Sequence, residues 1–363
     1  MAAHNIAQDG ALTFTGTNAS KYLLEPMFHS DEIMRNYSIY PNVKFKQFIT
    51  MAPGLKSITA RNSGCATTNA CDPAGFEMEQ KELEVYQVSV KQKQCWQEFQ
   101  NLYIAESYKA GLNMPDLTGT QIADVILDRV RNGIQYDTVR NMWAGDPLAA
   151  VADCSYQSMG DGLWQLLSVG NAINSGTQLR EVSGAGAAGL YTTVGATLAL
   201  TDGQTILSEV WNTAPAELQQ TPASEKRIFV TPNVYNAWYA DLTQVAATGS
   251  VDYGHSEAQA GKQRLYFRGV EVVPVYEWDT ALTALTGGDV PPLFTGATIG
   301  TQQTNGAIYA AKDNLIIGTN VADPDNQLKM FYDEASDNMY VRANFTMGFQ
   351  YGWDSLVNGA MLT

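Results

Sequence analysis

Cysteine, histidine and charged side chains are all scarce in this chain of 363 residues, which has only four cysteines and three histidines. Four cysteines are too few for a disulfide-built scaffold and point to synthesis in a reducing compartment. Cys65, Cys71, Cys95 and Cys154 form no Cys-x-x-Cys pair, so a zinc site is not expected. His4, His29 and His255 stand apart from one another, and no serine nucleophile elbow accompanies them. Charged residues make up 16% of the chain, well below the ordinary quarter or so. No stretch approaches the roughly eighteen continuous apolar residues of a membrane span. The opening Met1-Ala-Ala-His-Asn-Ile6 lacks the basic and apolar regions of a secretory signal, so the expected site of synthesis is intracellular. Cations are the scarcest charge: 22 Lys and Arg face 37 Asp and Glu, a net charge of −15. That balance favours solubility and repels nucleic acid and anionic lipid as a whole, although a local basic patch can sit beneath the sum.

What remains is rich in Gly, Thr, Asn, Gln and Ala, a weakly charged polar surface of the kind extensive contact between copies favours. The clearest pattern is a two-residue alternation near the C-terminal end. Met339, Val341, Ala343, Phe345, Met347, Phe349, Tyr351 and Trp353 share one face, and Tyr340, Arg342, Asn344, Thr346, Gly348, Gln350 and Gly352 the other. At about 3.3 Å per residue such a strand spans roughly 50 Å, far beyond the usual five or six residues. Leu328, Met330 and Tyr332 alternate just upstream and Glu334–Asn338 supplies turn chemistry, which predicts a long antiparallel hairpin.

The first fifty residues read as an arm, with a short helix near Ala19–Met27 and an extended Asn36–Phe48. Met51–Gln80 carries Pro53, Gly54, Gly64, Pro73 and Gly75 among few large apolar residues and reads as a long loop or irregular hairpin. Glu82, Glu84, Tyr86, Val88 and Val90 then share one strand face that turns from charged to apolar. A helix is expected over Gln97–Gly111. A stronger one starts near Thr118, where Thr118 and Gln121 have capping-box spacing. Ile122, Ile126, Val130 and Ile134 step along its face towards Trp143, Gly145 ends it, and Gly133 inside it costs about 1 kcal/mol relative to Ala.

Further on, Leu190–Leu200 is strand-like, and Asp202 is the expected cap of a helix carrying Ile206, Leu207, Val210 and Trp211 that Pro215 stops. A strand Arg227–Val230 leads into a helix with Thr231 as cap, Pro232 at its first position, and Val234, Trp238 and Leu242 on one face. Leu265–Phe267 and Val270–Val275 form a strand pair broken at Gly269. Helices and strands mix without a βαβ rhythm, so the class is α+β.

Competing chemistry is thin. Gly184-Ala-Gly-Ala-Ala-Gly189 matches the dinucleotide fingerprint, but Leu190-Tyr-Thr-Thr-Val194 is a poor helix opening after it, and a flexible small-residue loop is the better reading. Asp323, Asp325 and Asp333 offer oxygen ligands without the spacing of a calcium loop.

Taken in order, these segments resemble the major capsid protein of tailed bacteriophages, the Hong Kong 97-like fold. Local likenesses lie in Asn141-Met-Trp-Ala-Gly-Asp146 with Gly160-Asp-Gly-Leu-Trp-Gln-Leu-Leu167, in Phe229-Val-Thr-Pro-Asn-Val-Tyr-Asn-Ala-Trp238, in Phe267-Arg-Gly-Val-Glu-Val-Val-Pro274, and in Asn338–Tyr351. The resemblance implies an N-terminal arm over 1–50, an extended loop over 51–92, a peripheral domain with a spine helix over 93–155, an axial domain over 156–321, and peripheral return strands over 322–363. It further implies a structural protein rather than an enzyme, without catalytic, metal or cofactor residues. The copies would assemble as hexamers and pentamers into an icosahedral head that encloses phage DNA without reading its sequence and makes no membrane contact. The short stretch before Asn36 leaves no room for a fused scaffolding segment, so a separate scaffolding protein is implied, with a portal and decoration proteins as further partners. Assembly would take place in the host bacterial cytoplasm and the product would reside in the virion. Some relatives crosslink a loop lysine; Lys56 lies in this loop with no identifiable partner. Cys65 and Cys71 can close a small loop by disulfide once oxidants reach the particle, with free thiols as the other reading. An encapsulin-like compartment and a phage tail-tube subunit are the alternatives.

Overall fold

The computed structural model describes residues 12–15, 36–51, 78–95, 121–145, 147, 156–167, 179–182, 198–247, 265–278, 305–320, 327–333 and 338–362. The strands in chain order are β1 (Leu12–Thr15), β2 (Ser38–Tyr40), β3 (Lys46–Met51), β4 (Glu79–Glu84), β5 (Tyr86–Cys95), β6 (Leu179–Val182), β7 (Lys226–Val230), β8 (Leu265–Phe267), β9 (Val270–Pro274), β10 (Gly306–Ala311), β11 (Leu315–Thr319), β12 (Gln327–Asp333), β13 (Asn338–Tyr351) and β14 (Val357–Leu362). The helices are α1 (Gln121–Ala144), α2 (Leu200–Asn212), the short α3 (Ala216–Gln220) and α4 (Pro232–Ala247).

The expected C-terminal hairpin is present as β12 and β13, antiparallel with Asp333 opposite Asn338. β13 is the axis of the first sheet. β5 pairs along one of its edges, from Cys95 opposite Asn338 to Tyr86 opposite Met347. β12 and then β11 share the other edge, with β1 beyond β12 and β2 beyond β11. Val341, Ala343, Phe345 and Met347 are buried as the alternation predicts, and Val88, Ile134, Val139 and Trp143 pack into the same cluster, so α1 covers that face.

The second sheet runs β6-β14-β10-β7-β9-β8 with mixed directions. Its inner strands β14, β10 and β7 are buried on both faces. Phe229, Ile308, Ala310, Val357 and Met361 join the cluster around Trp143, whereas Ile228, Val230, Ala307, Tyr309, Ala360 and Leu362 pack with Ile206, Leu207 and Val210 of α2 and Val234 and Trp238 of α4. Burial on both sides explains why β10, β11 and β14 read as continuous small and apolar runs without alternation.

Several expectations change in detail. β13 ends at Tyr351 rather than Trp353, and its supposedly polar face is itself buried at Thr346 and Gly348. The single strand expected through Glu82–Val90 is two strands broken at Val85. Leu83 and Val85 are buried on one parity and Val88 on the other, so the chain changes face at the break. Asp202 is not the cap of α2. It is the third helical residue, and its carboxylate accepts the backbone N–H of Ala199, the residue in the cap position, at 3.1 Å. An apolar cap is tolerated because the acid three residues later satisfies it from within the helix. Leu200, expected at the end of a strand, opens that helix, and most of Leu190–Leu200 lies outside the described residues. Thr231 does precede Pro232, the first residue of α4, and its carbonyl accepts the Tyr235 N–H at 3.0 Å, but its hydroxyl makes no hydrogen bond among the described residues. α1 ends at Ala144, before Gly145, as expected, and continues through Gly133 without a break. The segments 19–27, 97–111 and 118–120 lie outside the described residues.

Candidate functional site

Among the described residues, three of the four most exposed large hydrophobic side chains lie on and beside a ribbon that belongs to neither large sheet. β3 and β4 form this two-stranded unit, with Lys46 opposite Glu84, Phe48 opposite Glu82 and Thr50 opposite Gln80. Strand alternation gives it two different faces. Leu83 points inwards, fully buried with Val43, Val85 and Ile316, and Ile49 packs against them. The opposite face carries Phe48, 62% exposed, between Lys46 and the two glutamates. Phe45 before β3 is 80% exposed and Met78 before β4 is 64% exposed. Large apolar groups gathered along one ribbon of a weakly charged protein mark a contact surface.

The ribbon is tied down at its base by three contacts with the end of β13. Lys81 pairs with Asp354, and its ammonium lies 3.6 Å from the centre of the Tyr351 ring. The Gln350 side-chain amide donates to the Glu82 carbonyl at 3.0 Å. Gly348 lies so close beneath Glu84 that any Cβ there would collide with the Glu84 carbonyl. On the outward face Lys46 pairs with Glu82 at 2.6 Å and reaches Glu84 at 3.6 Å. Its pKa is raised, first by the hydrogen bond to Glu82. At the junction with β5, Tyr86 is pushed up to about 12, chiefly by partial burial and then by the nearby Glu84 and Asp161 carboxylates.

A second exposed aromatic group lies on the far side of the second sheet. Tyr239 of α4, Tyr266 of the edge strand β8 and Tyr276 after β9 are all exposed. Burial raises the pKa of Tyr235, and the phenols of Tyr276 and Tyr239 add to the shift. Among the described residues β8 pairs with β9 alone, at the edge of the sheet.

Two motifs quoted for the resemblance meet in space and hold the body rigid behind these surfaces. The Asn141 side-chain amide donates to the Gly160 carbonyl at 3.1 Å, and the Gly162 N–H donates to the Gly145 carbonyl at 2.8 Å. A Cβ on Gly145 would strike the Gly160 carbonyl, and one on Gly162 would strike the Gly145 nitrogen, so both positions need glycine for close approach. Trp143 packs beside this lock on Trp278, Phe229 and Tyr37, with ring centroids 5.2, 5.1 and 5.6 Å away, and Trp164 packs on Trp278 at 5.0 Å.

Most residues considered from sequence for chemistry lie outside the described residues: Cys65, Cys71, Cys154, Lys56, the three histidines, Gly184–Gly189, Asp323 and Asp325. Asp333 ends β12 and Cys95 ends β5, both in register with Asn338. Among the described residues no group of three or more His, Cys, Asp or Glu is placed to hold a metal, and no helix is long and apolar enough to cross a membrane. The ribbon clamp of Lys81, Gln350 and Gly348 was not foreseen. Its one trace in the sequence is the change of buried parity from Leu83 and Val85 to Val88.

No family model matches the chain, and no curated protein matches it. Solved structures do. A chain of the satellite phage P4 procapsid that includes the size determination (Sid) protein is similar over 93% of this chain and 97% of its own length, at 13% identity and a TM-score of 0.51. The capsid of the native GTA particle matches over 91% of this chain and 89% of its own, at 14% identity and a TM-score of 0.52. The capsid of cyanophage Pam1 matches over 90% and 88%, at 13% identity and a TM-score of 0.51. At such identities the likeness is one of fold: this chain has a mixed helix-and-sheet fold shared with chains of phage capsids.

Proposed function

We propose that this chain is the major capsid protein of a tailed bacteriophage, a structural protein whose copies form the icosahedral shell around the phage DNA. The observation that carries the reading is fold likeness to capsid structures along nine-tenths of both chains, end to end rather than through one shared module. The surfaces agree with it. Apolar groups project from a clamped ribbon and an aromatic edge lies elsewhere on the chain, which suits a head-to-tail contact repeated around a closed ring.

In this reading 1–50 is the arm and 51–92 the extended loop whose base is the β3–β4 ribbon. Residues 93–155 are the peripheral domain with α1 as spine, 156–321 the axial domain, and 322–363 the peripheral return strands, in the Hong Kong 97-like manner. β11 and β14 exchange places across that division, β11 lying in the first sheet and β14 in the second. Hexamers and pentamers of the chain, a separate scaffolding protein, a portal and decoration proteins complete the particle, which is assembled in the host cytoplasm. A Cys65–Cys71 loop disulfide in the finished particle belongs to the same reading.

Cryo-electron microscopy of the protein, expressed alone and with the scaffolding gene of its phage, tests the proposal. Closed icosahedral shells are expected. Open tubes in place of shells, or a monomer under both conditions, would overturn it.

A further inference from the structure

The polar face of the first sheet holds a concentration of positive charge at odds with the rest of the molecule. On β13, Arg342 lies directly opposite Lys91 of β5 on one side and Lys329 of β12 on the other. Lys93 follows on β5, opposite Tyr340. Strand alternation puts all four cations on the face away from Val341 and Ala343, hence away from α1 and the core. All four are exposed, and among the described residues none of them makes an ion pair. The one acid on this face of the three strands is Asp333, at the far end of β12 and already engaged.

Like charges directly opposite one another across strands are destabilising, roughly as much as an opposite-charge pair there is stabilising. The face partly relieves this through its aromatic rings. Phe331 and Tyr340 stack at 5.3 Å, and Lys329 and Arg342 each lie close to the Phe331 ring, at 5.3 and 5.4 Å from its centre. An anion with several charges spaced along it would offset the residual repulsion beyond what solvent and salt screening do. In a chain of net charge −15 with 22 cations in all, four gathered on one flat face form a local reversal of sign.

We propose that this stripe is a contact surface for the phosphodiester backbone of nucleic acid, read without regard to sequence. The chemistry of the face favours phosphate over an acidic polypeptide. A stable protein contact needs apolar anchors seated in pockets, whereas the rings of these three strands on this face, Phe331 and Tyr340, are stacked on each other with cations beside Phe331. The neighbouring exposed Gln87 and Ser89 of β5, on the same side of the strand as Lys91 and Lys93, are donors suited to phosphate oxygens. Overall negative charge makes the contact weak at a distance, so it operates where nucleic acid is already crowded against the protein. In that respect the inference rests on the shell reading for the source of its ligand, though not for its chemistry.

The test is fluorescence anisotropy of a labelled DNA duplex titrated with the full chain at several salt concentrations, with shell formation scored separately by microscopy. Four neutralised phosphates give a log–log salt slope of about −3.6, or roughly a 150-fold loss of affinity between 50 and 200 mM salt. The combined Lys91→Gln, Lys93→Gln, Lys329→Gln and Arg342→Gln protein should lose that binding. Lys91→Gln alone should shallow the slope by about 0.9. An Arg129→Gln protein, neutralised at an exposed cation elsewhere on α1, should bind as the parent does. No binding by the parent, equal binding by the fourfold variant, or displacement of the duplex by polyglutamate at equal charge would each overturn the proposal. Because shells are scored independently, a shell-forming protein that ignores DNA sinks only the stripe, and a DNA-binding protein that never closes a shell sinks only the capsid reading.

Discussion

Glycine does opposite things at three positions of this chain. At Gly145 and Gly162 an added Cβ would meet backbone atoms that cannot turn aside, whereas at Gly133 nothing lies within 4 Å. Gly162→Ala should therefore lower stability by about 1–3 kcal/mol through overpacking. Gly133→Ala, exposed within α1, should raise it by about 0.4–1 kcal/mol by reducing the freedom of the unfolded chain. Paired denaturant titrations decide it, and equal effects of the same sign would mean that the lock between Asn141–Gly145 and Gly160–Gly162 is not tight. Tyr86 carries a pH signature. Its pKa of about 12 stands above its ordinary value of 10.0, so the folded state holds the phenolic proton more firmly than the unfolded chain does. The contribution is complete below about pH 10 and fades as pH climbs through about 12. The phenolate absorbance difference between the parent and Tyr86→Phe should show this high midpoint. In a Glu84→Gln background it should fall, while the part due to burial persists.

The β3–β4 ribbon and its clamp illustrate how legible single elements were. Alternation exposed β13 and its hairpin because one face is core over most of their length and the other is solvent at Arg342 and Lys329. The helices α2 and α4 were legible from their apolar stripes and from Pro215 and Pro232. The strands β10, β11 and β14 were not, because a strand covered on both faces carries no alternation, and Gly306–Ala311 reads as easily as a small-residue loop. The ribbon was half legible: its extended character showed, but the break at Val85 and the pairing of Lys81 with Asp354 join residues far apart in the chain, which periodicity cannot register. Lys81→Ala should cost on the order of 1 kcal/mol through the lost ion pair and ring contact. Its sharper effect should be faster amide exchange across 46–51 and 79–84 with β13 unchanged. Unaltered exchange in the ribbon would show that Leu83 alone holds it.

For the whole molecule, the separation of contact surface from core predicts that association and folding can be mutated apart. Replacing Phe45 and Phe48 by serine should leave the melting curve of the isolated subunit nearly in place, since both side chains are exposed in it and such substitutions usually change stability by within about 0.5 kcal/mol. The same protein should fail to form shells by light scattering. A large loss of subunit stability would place those rings in the core instead. The order of the second sheet has a further consequence, for timing. β14 lies between β6 and β10, and all six of its residues are buried, so the sheet that holds β7, β9 and β10 has a missing central strand until residues 357–362 have left the ribosome. Synthesis of those residues then becomes the switch from an open intermediate to a closed subunit, and a chain that lacks them cannot yet present its finished surfaces to its neighbours.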